Sequence, residues 1–262
     1  MKINLKGKKA IVTGGGTGIG QAIVKALDNA GATVAFTSRY KDSIKETLKT
    51  LNKEKKHLGI AIDLSKKGNV KKFHNIVKKK FKNVDILVNN IGHTLNIKNP
   101  FAKVNDWEKV MKLNFFTTVD MINHTVPDMK KKNWGRIINI TSVAGMEISG
   151  PSSFNASKAA LTAYTKSVGR SLALEKLNVV MTAVAPGIIL TKRGHWNEKN
   201  KKSKHAKNYL KNRTALKRFG TMDELTGIIV FLSSDYASFF HSSIIHADGG
   251  HSKHYMSDTY LK

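Results

Sequence analysis

The run Thr13-Gly14-Gly15-Gly16-Thr17-Gly18-Ile19-Gly20 constrains this chain more than any other feature. Before it stands Ala10-Ile11-Val12-Thr13, short and apolar, which reads as a strand; after it, residues 19–27 read as an amphipathic helix. Strand, glycine turn and helix in that order make the glycines informative rather than accidental. Gly14 permits a tight turn, Gly18 lets a ligand approach the backbone, and Gly20 lets the helix lie close on its sheet. A helix start also presents unpaired N–H groups to an anion. The segment therefore reads as a cradle for the pyrophosphate of a dinucleotide, with Thr17 and Ile19 inside it.

The rest of the chain repeats the same alternation. Strands are expected at residues 10–13, 33–37, 58–62, 86–89, 136–140, 179–185 and 243–247. Helices are expected at 19–30, 43–53, 67–81, 106–131, 153–176 and 222–233. Such alternation predicts an α/β protein built on a parallel sheet. With four prolines, no linker and no internal repeat, one domain over residues 1–262 is expected. Residues 188–213 are polar, basic and weakly periodic, and read as an insertion.

The end of the second strand decides which dinucleotide fits. An acidic side chain there would hold a ribose 2′-hydroxyl and repel a 2′-phosphate. The chain has Thr37-Ser38-Arg39 instead, with Lys41 close by. Ser38 can hydrogen-bond a phosphate and Arg39 can pair with it bidentately, so NADP(H) is favoured over NAD(H).

Further motifs follow in order: Asn89-Asn90-Ile91-Gly92, Lys112-Leu113-Asn114, Ile140-Thr141-Ser142, Phe154-Asn155-Ala156-Ser157-Lys158, Pro186-Gly187-Ile188-Ile189-Leu190-Thr191 and Ala247-Asp248-Gly249-Gly250. Together with the glycine run they resemble the short-chain dehydrogenase/reductase family, most of all its 3-oxoacyl-carrier-protein-reductase-like members, over residues 5–250. The resemblance implies a Rossmann fold, a doubly wound parallel sheet of seven strands, with residues 188–213 as the substrate lid. In that lid Trp196, His195 and several lysines hint at an anionic ligand. It further implies that Asp63 and Leu64 meet the adenine, although an aspartate there also suits a helix N-cap. Asn90 and Gly92 belong to the turn beside the cofactor. Pro186, Gly187, Ile189 and Thr191 belong to the segment that holds the nicotinamide carboxamide.

The family's catalytic set is Asn, Ser, Tyr and Lys. Asn114 matches the asparagine of a water-mediated proton relay, Ser142 the serine that binds the substrate oxygen, and Lys158 the lysine that holds the nicotinamide ribose. The tyrosine position is Phe154, whose ring has no acidic hydrogen. Twelve positions separate Ser142 from Phe154, one fewer than the family pattern, which points to natural divergence. The proton must then come from elsewhere, or the chain has lost the chemistry. His93, beside Gly92, is a surrogate donor or substrate binder by its chemistry near neutral pH. A water beside Ser142 is another source. Tyr164 lies six residues past Lys158, roughly 9 Å along a helix, and is expected at a subunit interface. Ser152 and Ser153 are expected to cap the helix start.

Two readings stay open. One is an NADP-dependent oxidoreductase acting on a carbonyl or activated alkene. Its substrate would be a small molecule or acyl thioester, and the basic lid suits an anionic one. The other is a catalytically silent NADP-binding sensor or partner subunit. The family resemblance also implies a homotetramer built through helices 106–131 and 153–176. The net charge of +27 raises nucleic-acid binding as a third possibility. Its distribution argues against that: 39 lysines accompany only 6 arginines, spread over expected helix surfaces and loops. The absence of cysteine removes disulfides, thiolate metal sites and thiol nucleophiles. His246, His251 and His254 near Asp248 read as solvated rather than metal-binding. No apolar run approaches a membrane span, and the basic start does not read as a signal peptide, so a cytoplasmic protein is expected.

Overall fold

The computed structural model describes residues 2–192 and 196–253, so His195 and His254 lie outside the described residues. Seven parallel strands form one sheet: β1 (Lys9–Val12), β2 (Thr33–Ser38), β3 (Leu58–Ala61), β4 (Ile86–Asn89), β5 (Gly135–Ile140), β6 (Val179–Pro186) and β7 (Ile244–Ala247). Their order is β3-β2-β1-β4-β5-β6-β7. The inner strands are apolar on both faces, because helices cover both sides of a parallel sheet. Thus Ile11 packs into one core with Phe73, Met121 and Met181, while Ala10 and Val12 pack into the other with Val24, Phe36 and Ile229.

Helices α1 (Gly18–Asn29), α2 (Lys41–Lys49) and α8 (Met222–Leu232) supply the core on one face. Helices α3 (Asn69–Phe81), α5 (Thr117–Lys131) and α6 (Ser152–Leu174) supply the other. The strand order reverses between β1 and β4, both of which pair with parallel register. At that reversal the chain leaves β1 and β4 in opposite directions and opens a crevice at the carboxyl ends of the strands.

Two elements depart from the sequence expectation. Residues 106–131 do not form one helix. α4 (Val104–Met111) and α5 are joined by a π-helical turn, Lys112–Phe116. Lys112 O accepts from both the backbone N–H and, at 2.7 Å, the hydroxyl of Thr117, which stabilises the wider turn. Within the expected insertion, α7 (Lys204–Arg213) is helical, with Ser203 as its N-cap accepting from Ala206 N at 3.1 Å. Its one buried residue is Ala206, so it carries too narrow an apolar stripe to announce itself in the sequence.

Among the described residues, no helix is long and apolar enough to cross a membrane, and no group of three potential ligands is placed to hold a metal ion.

Candidate active site

The glycine turn divides its tasks by geometry. Gly14 sits at φ +69° and donates its N–H to Thr37 Oγ1 at 3.0 Å. A Cβ on Gly20 would stand 2.1 Å from Gly14 O, so that glycine exists for packing. A Cβ on Gly18, at φ +57°, would meet nothing within 4 Å. Its open side faces the crevice, and space there serves a ligand rather than the fold. Thr17 precedes α1 in extended conformation and makes no side-chain cap bond, which leaves the first-turn N–H groups of the helix available for an anion. Thr13 Oγ1 accepts from Asn90 N and Ile91 N, while Asn90 Nδ2 donates to Thr13 O and Gly14 O. Asn90 thus braces the glycine turn against the end of β4.

At the end of β2 the hydroxyl of Ser38 is engaged inwards. Ser43 Oγ donates to Tyr40 O at 2.8 Å, so the 2.7 Å contact between the two serines uses Ser38's hydrogen. Ser38 Oγ also accepts from Tyr40 N. Ser38 lines the cavity, as its position predicts, while its hydroxyl hydrogen is directed to Ser43. Arg39 remains exposed and lines the same cavity. Asp63 is not a helix N-cap: Gly68 precedes α3, and Asp63 Oδ1 accepts from the N–H and hydroxyl of Ser65.

Lys158 anchors the opposite end of the cavity. It is buried, its ammonium donates to Ile140 O at 2.8 Å, and burial lowers its pKa to about 8. A Cβ on Gly92 would come within 2.9 Å of Lys158 Nζ and 3.1 Å of Asn114 Oδ1. Gly92 is thus the opening through which these two groups come together. Asn114 lies in the π turn, fully buried, and its amide is tied to the neighbouring backbone. Oδ1 accepts from His93 N at 2.8 Å, and Nδ2 donates to His93 O and Val110 O. It stands behind His93 and does not line the cavity.

His93 lines the cavity with Ser142 and Phe154. Its Nδ1 accepts from Leu95 N at 2.8 Å, so the neutral ring carries its hydrogen on Nε2. Burial, and after it the charge of Arg39, lowers the His93 pKa. Ser142 Oγ accepts from Ala144 N at 3.1 Å, which leaves its own hydrogen to donate. The Phe154 ring lies with its centroid 5.7 Å from Lys158 Nζ.

One cavity of about 440 Å³ connects the two ends of the site. It runs from Arg39, Asp63 and Leu64, past Gly14, Thr17, Gly18, Ile19 and Gly20, to His93, Ser142, Phe154, Lys158, Gly187, Ile189 and Thr191. Pro186, also expected in the site, instead ends β6 outside the lining. Trp196 closes the far end, its carbonyl accepting from the N–H and hydroxyl of Thr191. Behind it Tyr209 stacks edge-on to Trp196 and to His251, and its hydroxyl meets Ser149 Oγ at 2.6 Å. This aromatic cluster escaped the sequence reading because its members lie far apart in the chain. Ser152 and Ser153 do not cap α6: Pro151 holds the cap position, and Ser153 Oγ is buried without a partner.

The family model described as enoyl-(acyl carrier protein) reductase matches residues 14–252. The chain belongs to the short-chain dehydrogenase/reductase family. It is 34% identical to the 3-oxoacyl-[acyl-carrier-protein] reductase FabG of Aquifex aeolicus over 254 residues, 95% of this chain and 99% of that one. Among solved structures it is similar to an L-sorbose reductase from Gluconobacter frateurii complexed with NADPH and L-sorbose. That match has TM-score 0.86 and 27% identity, covering 96% of this chain and 98% of that one. It is equally similar, at TM-score 0.86 and 27% identity, to a 7α-hydroxysteroid dehydrogenase complexed with NADH and 7-oxo glycochenodeoxycholic acid. Here 95% of this chain and 96% of that one are covered. As a member of this family the chain is an oxidoreductase of the NAD(P)-dependent type. Its residues fit the dinucleotide: the open side of Gly18, the uncapped start of α1 and a cavity continuous from Arg39 to Lys158 are what such a ligand requires.

Proposed function

We propose that this short-chain dehydrogenase/reductase is an NADP(H)-dependent reductase of carbonyls or activated alkenes whose proton does not come from residue 154. The observation that carries the reading is the single cavity linking the β1 glycine turn and Arg39 to Ser142, His93 and Lys158 around Phe154. A bound nicotinamide dinucleotide supplies hydride at that end. Gly14, Gly18 and the start of α1 hold its pyrophosphate; Arg39, helped by Lys41, binds a 2′-phosphate; Asp63 and Leu64 flank the adenine. With Ser38 engaged by Ser43, the preference for NADP rests on the two cationic side chains.

At the reacting end Lys158 holds the ribose, Ser142 donates to the substrate oxygen, and His93 Nε2–H is a second donor fixed by its backbone bonds. Asn114 keeps His93 in place. Phe154, at the position where the family carries tyrosine, offers only an apolar face, so the proton comes from water, the substrate or His93. Residues 188–213 are the lid, with Trp196 its inner wall. The relatives' names favour an acyl-thioester or other small carbonyl substrate. Exposed Phe116 and Val104, near α5 and α4, support a tetramer interface along those helices and α6.

The test is a fluorescence titration with NADPH and NADH, followed by NADPH oxidation against 3-oxoacyl thioesters, ketones and enones. Native protein and Phe154→Tyr are run side by side. Tighter binding of NADPH with turnover by the native protein is expected. Tight binding without native turnover, with activity only in Phe154→Tyr, would identify a silent dinucleotide-binding subunit instead.

A further inference from the structure

The two cavity-lining hydrogen-bond donors beside Phe154, Ser142 and His93, form an oxyanion site in which neither is a ready acid. Ser142 has a hydrogen to donate, because its oxygen is the acceptor from Ala144 N. His93 has one on Nε2, because Nδ1 is occupied by Leu95 N–H. Protonating Nδ1 to make an imidazolium would cost that backbone bond, so the ring serves as a neutral donor. An alcohol hydroxyl and a neutral imidazole stabilise an anion by hydrogen bonding, yet neither gives up its proton near neutral pH. Of the cavity's cations, Arg39 belongs to the β2 end, and Lys158 is buried, donates to Ile140 O and in the reading above holds the ribose, with the Phe154 ring beside it. The cavity's remaining acidic side chains, Asp63 and Tyr40, follow β3 and β2 at its other end.

The geometry points to a substrate class: a planar conjugated acceptor, an enone or quinone, whose reduction leaves a delocalised oxyanion that this site holds until water protonates it. The inference rests on the reductase reading above and narrows it. Reduction of an isolated ketone leaves an alkoxide, about as basic as hydroxide. A phenolate-type anion, with a conjugate acid near 10, is on the order of 10⁵-fold less basic. A site whose oxyanion donors are poor acids handles the second and stalls on the first.

For an enone the bonds balance as follows. The β carbon gains a C–H bond with the hydride's electron pair while the reduced nicotinamide is oxidised. The C=C π pair shifts towards the carbonyl oxygen, giving an enolate. The α carbon then takes a proton from water and leaves hydroxide. A quinone takes up the same hydride pair and ends as a hydroquinone monoanion, protonated by water after release. Phe154, Leu113 and Trp196 supply apolar walls suited to the planar face of such a ligand.

Two measurements decide this. In the first, native protein and Phe154→Tyr are compared on 2-cyclohexenone, a naphthoquinone and cyclohexanone with NADPH. The native protein is expected to favour the conjugated acceptors over cyclohexanone by more than about 10²-fold, and Phe154→Tyr to shrink that ratio at least tenfold. Equal native rates on cyclohexenone and cyclohexanone overturn the inference. The second needs no turnover. 4-Nitrophenol is titrated by absorbance in the NADP⁺-loaded protein, with circular dichroism confirming that each variant is folded. Its pKa is expected to fall by at least one pH unit when bound to native protein, and less in Ser142→Ala and His93→Ala. An unshifted pKa, or an absence of binding, overturns the oxyanion site. Reduction of cyclohexanone alone defeats the inference and leaves the reductase reading standing. A shifted phenol with no reduction of any acceptor defeats the reductase reading and leaves the oxyanion site.

Discussion

Replacing Lys158 by methionine is expected to make the ligand-free protein more stable while removing its grip on the cofactor. The ammonium is fully buried, with a single hydrogen bond to Ile140 O to offset its lost hydration. Burial lowers its pKa from 10.5 to about 8. At about 1.4 kcal/mol per pH unit, keeping the charge inside costs on the order of 3 kcal/mol at neutral pH. Methionine fills a similar volume without the charge but leaves Ile140 O unpaired, which returns about 1 kcal/mol. A net gain of about 2 kcal/mol corresponds to a Tm increase of roughly 4–8 °C for a chain of this size.

The pH dependence gives the sharper test. The native folded pKa lies below the unfolded one. The cost is therefore fully present below pH 8 and disappears as pH rises towards 10.5, where the lysine is neutral in both states. The advantage of Lys158→Met should shrink across that window, from calorimetry or urea melts at pH 7, 9 and 10. A variant that is less stable than native at pH 7, or whose advantage ignores pH, would refute the reasoning. NADPH fluorescence on the same samples should show weakened binding, so that stability and function move in opposite directions.

Three further outcomes are expected. Gly18→Ala should fold with a stability loss of about 1–2 kcal/mol from its φ of +57° and bind NADPH at least tenfold more weakly by fluorescence titration. Gly20→Ala should lose about 3 kcal/mol or more in urea, because its Cβ would collide with Gly14 O at 2.1 Å. Arg39→Ser should raise the NADPH Kd by roughly 10-fold or more, as expected for loss of a charge-assisted pair worth about 1.5–3 kcal/mol, and leave NADH nearly unaffected. Away from the site, buried His57 accepts from Val34 N through Nδ1 and lies 3.2 Å, off-line, from Asp28. Its pKa is lowered, mainly by burial. Its contribution is thus present above the ordinary histidine value near 6.5 and lost as pH falls through the lower folded one. Thermal melts should weaken in that window, and His57→Asn should flatten the slope.

What the sequence made legible follows from which interactions are local. The five inner strands were readable because burial on both faces writes unbroken apolar runs such as Ile86-Leu87-Val88, while the part-exposed edge strands β3 and β7 were readable from short runs such as Ser243-Ile244-Ile245. The glycine turn was readable because its three tasks each demand a residue without a side chain, at fixed offsets between a strand and a helix. Ser38 was placed at the cavity from its position at the end of β2, but its bond to Ser43, whose own hydrogen goes to Tyr40 O, was not legible. A hydroxyl's hydrogen has only one destination, and position alone does not disclose it. The π turn is a subtler case. Helical periodicity continues across Lys112–Phe116, and only Thr117, with two donors on one carbonyl, marks the extra residue.

That extra residue matters for the site. It turns Asn114 inwards, where both sides of its amide clamp the backbone of His93. The same clamp fixes the loop in which Leu95 N–H occupies His93 Nδ1. The donor character of His93 thus traces back to a helix irregularity near twenty residues further along the chain. If so, Asn114→Ala should act on the site without touching a ligand. The imidazole should lose its fixed tautomer, and the nitrophenol pKa shift should diminish as it does in His93→Ala. Asn114→Asp tests the assignment further, because a carboxylate can still accept from His93 N but cannot donate to His93 O. It should fall between the native protein and the alanine variant. If Asn114→Ala instead leaves the nitrophenol shift at its native size, the π turn positions nothing in the site and His93 is held by its own loop alone.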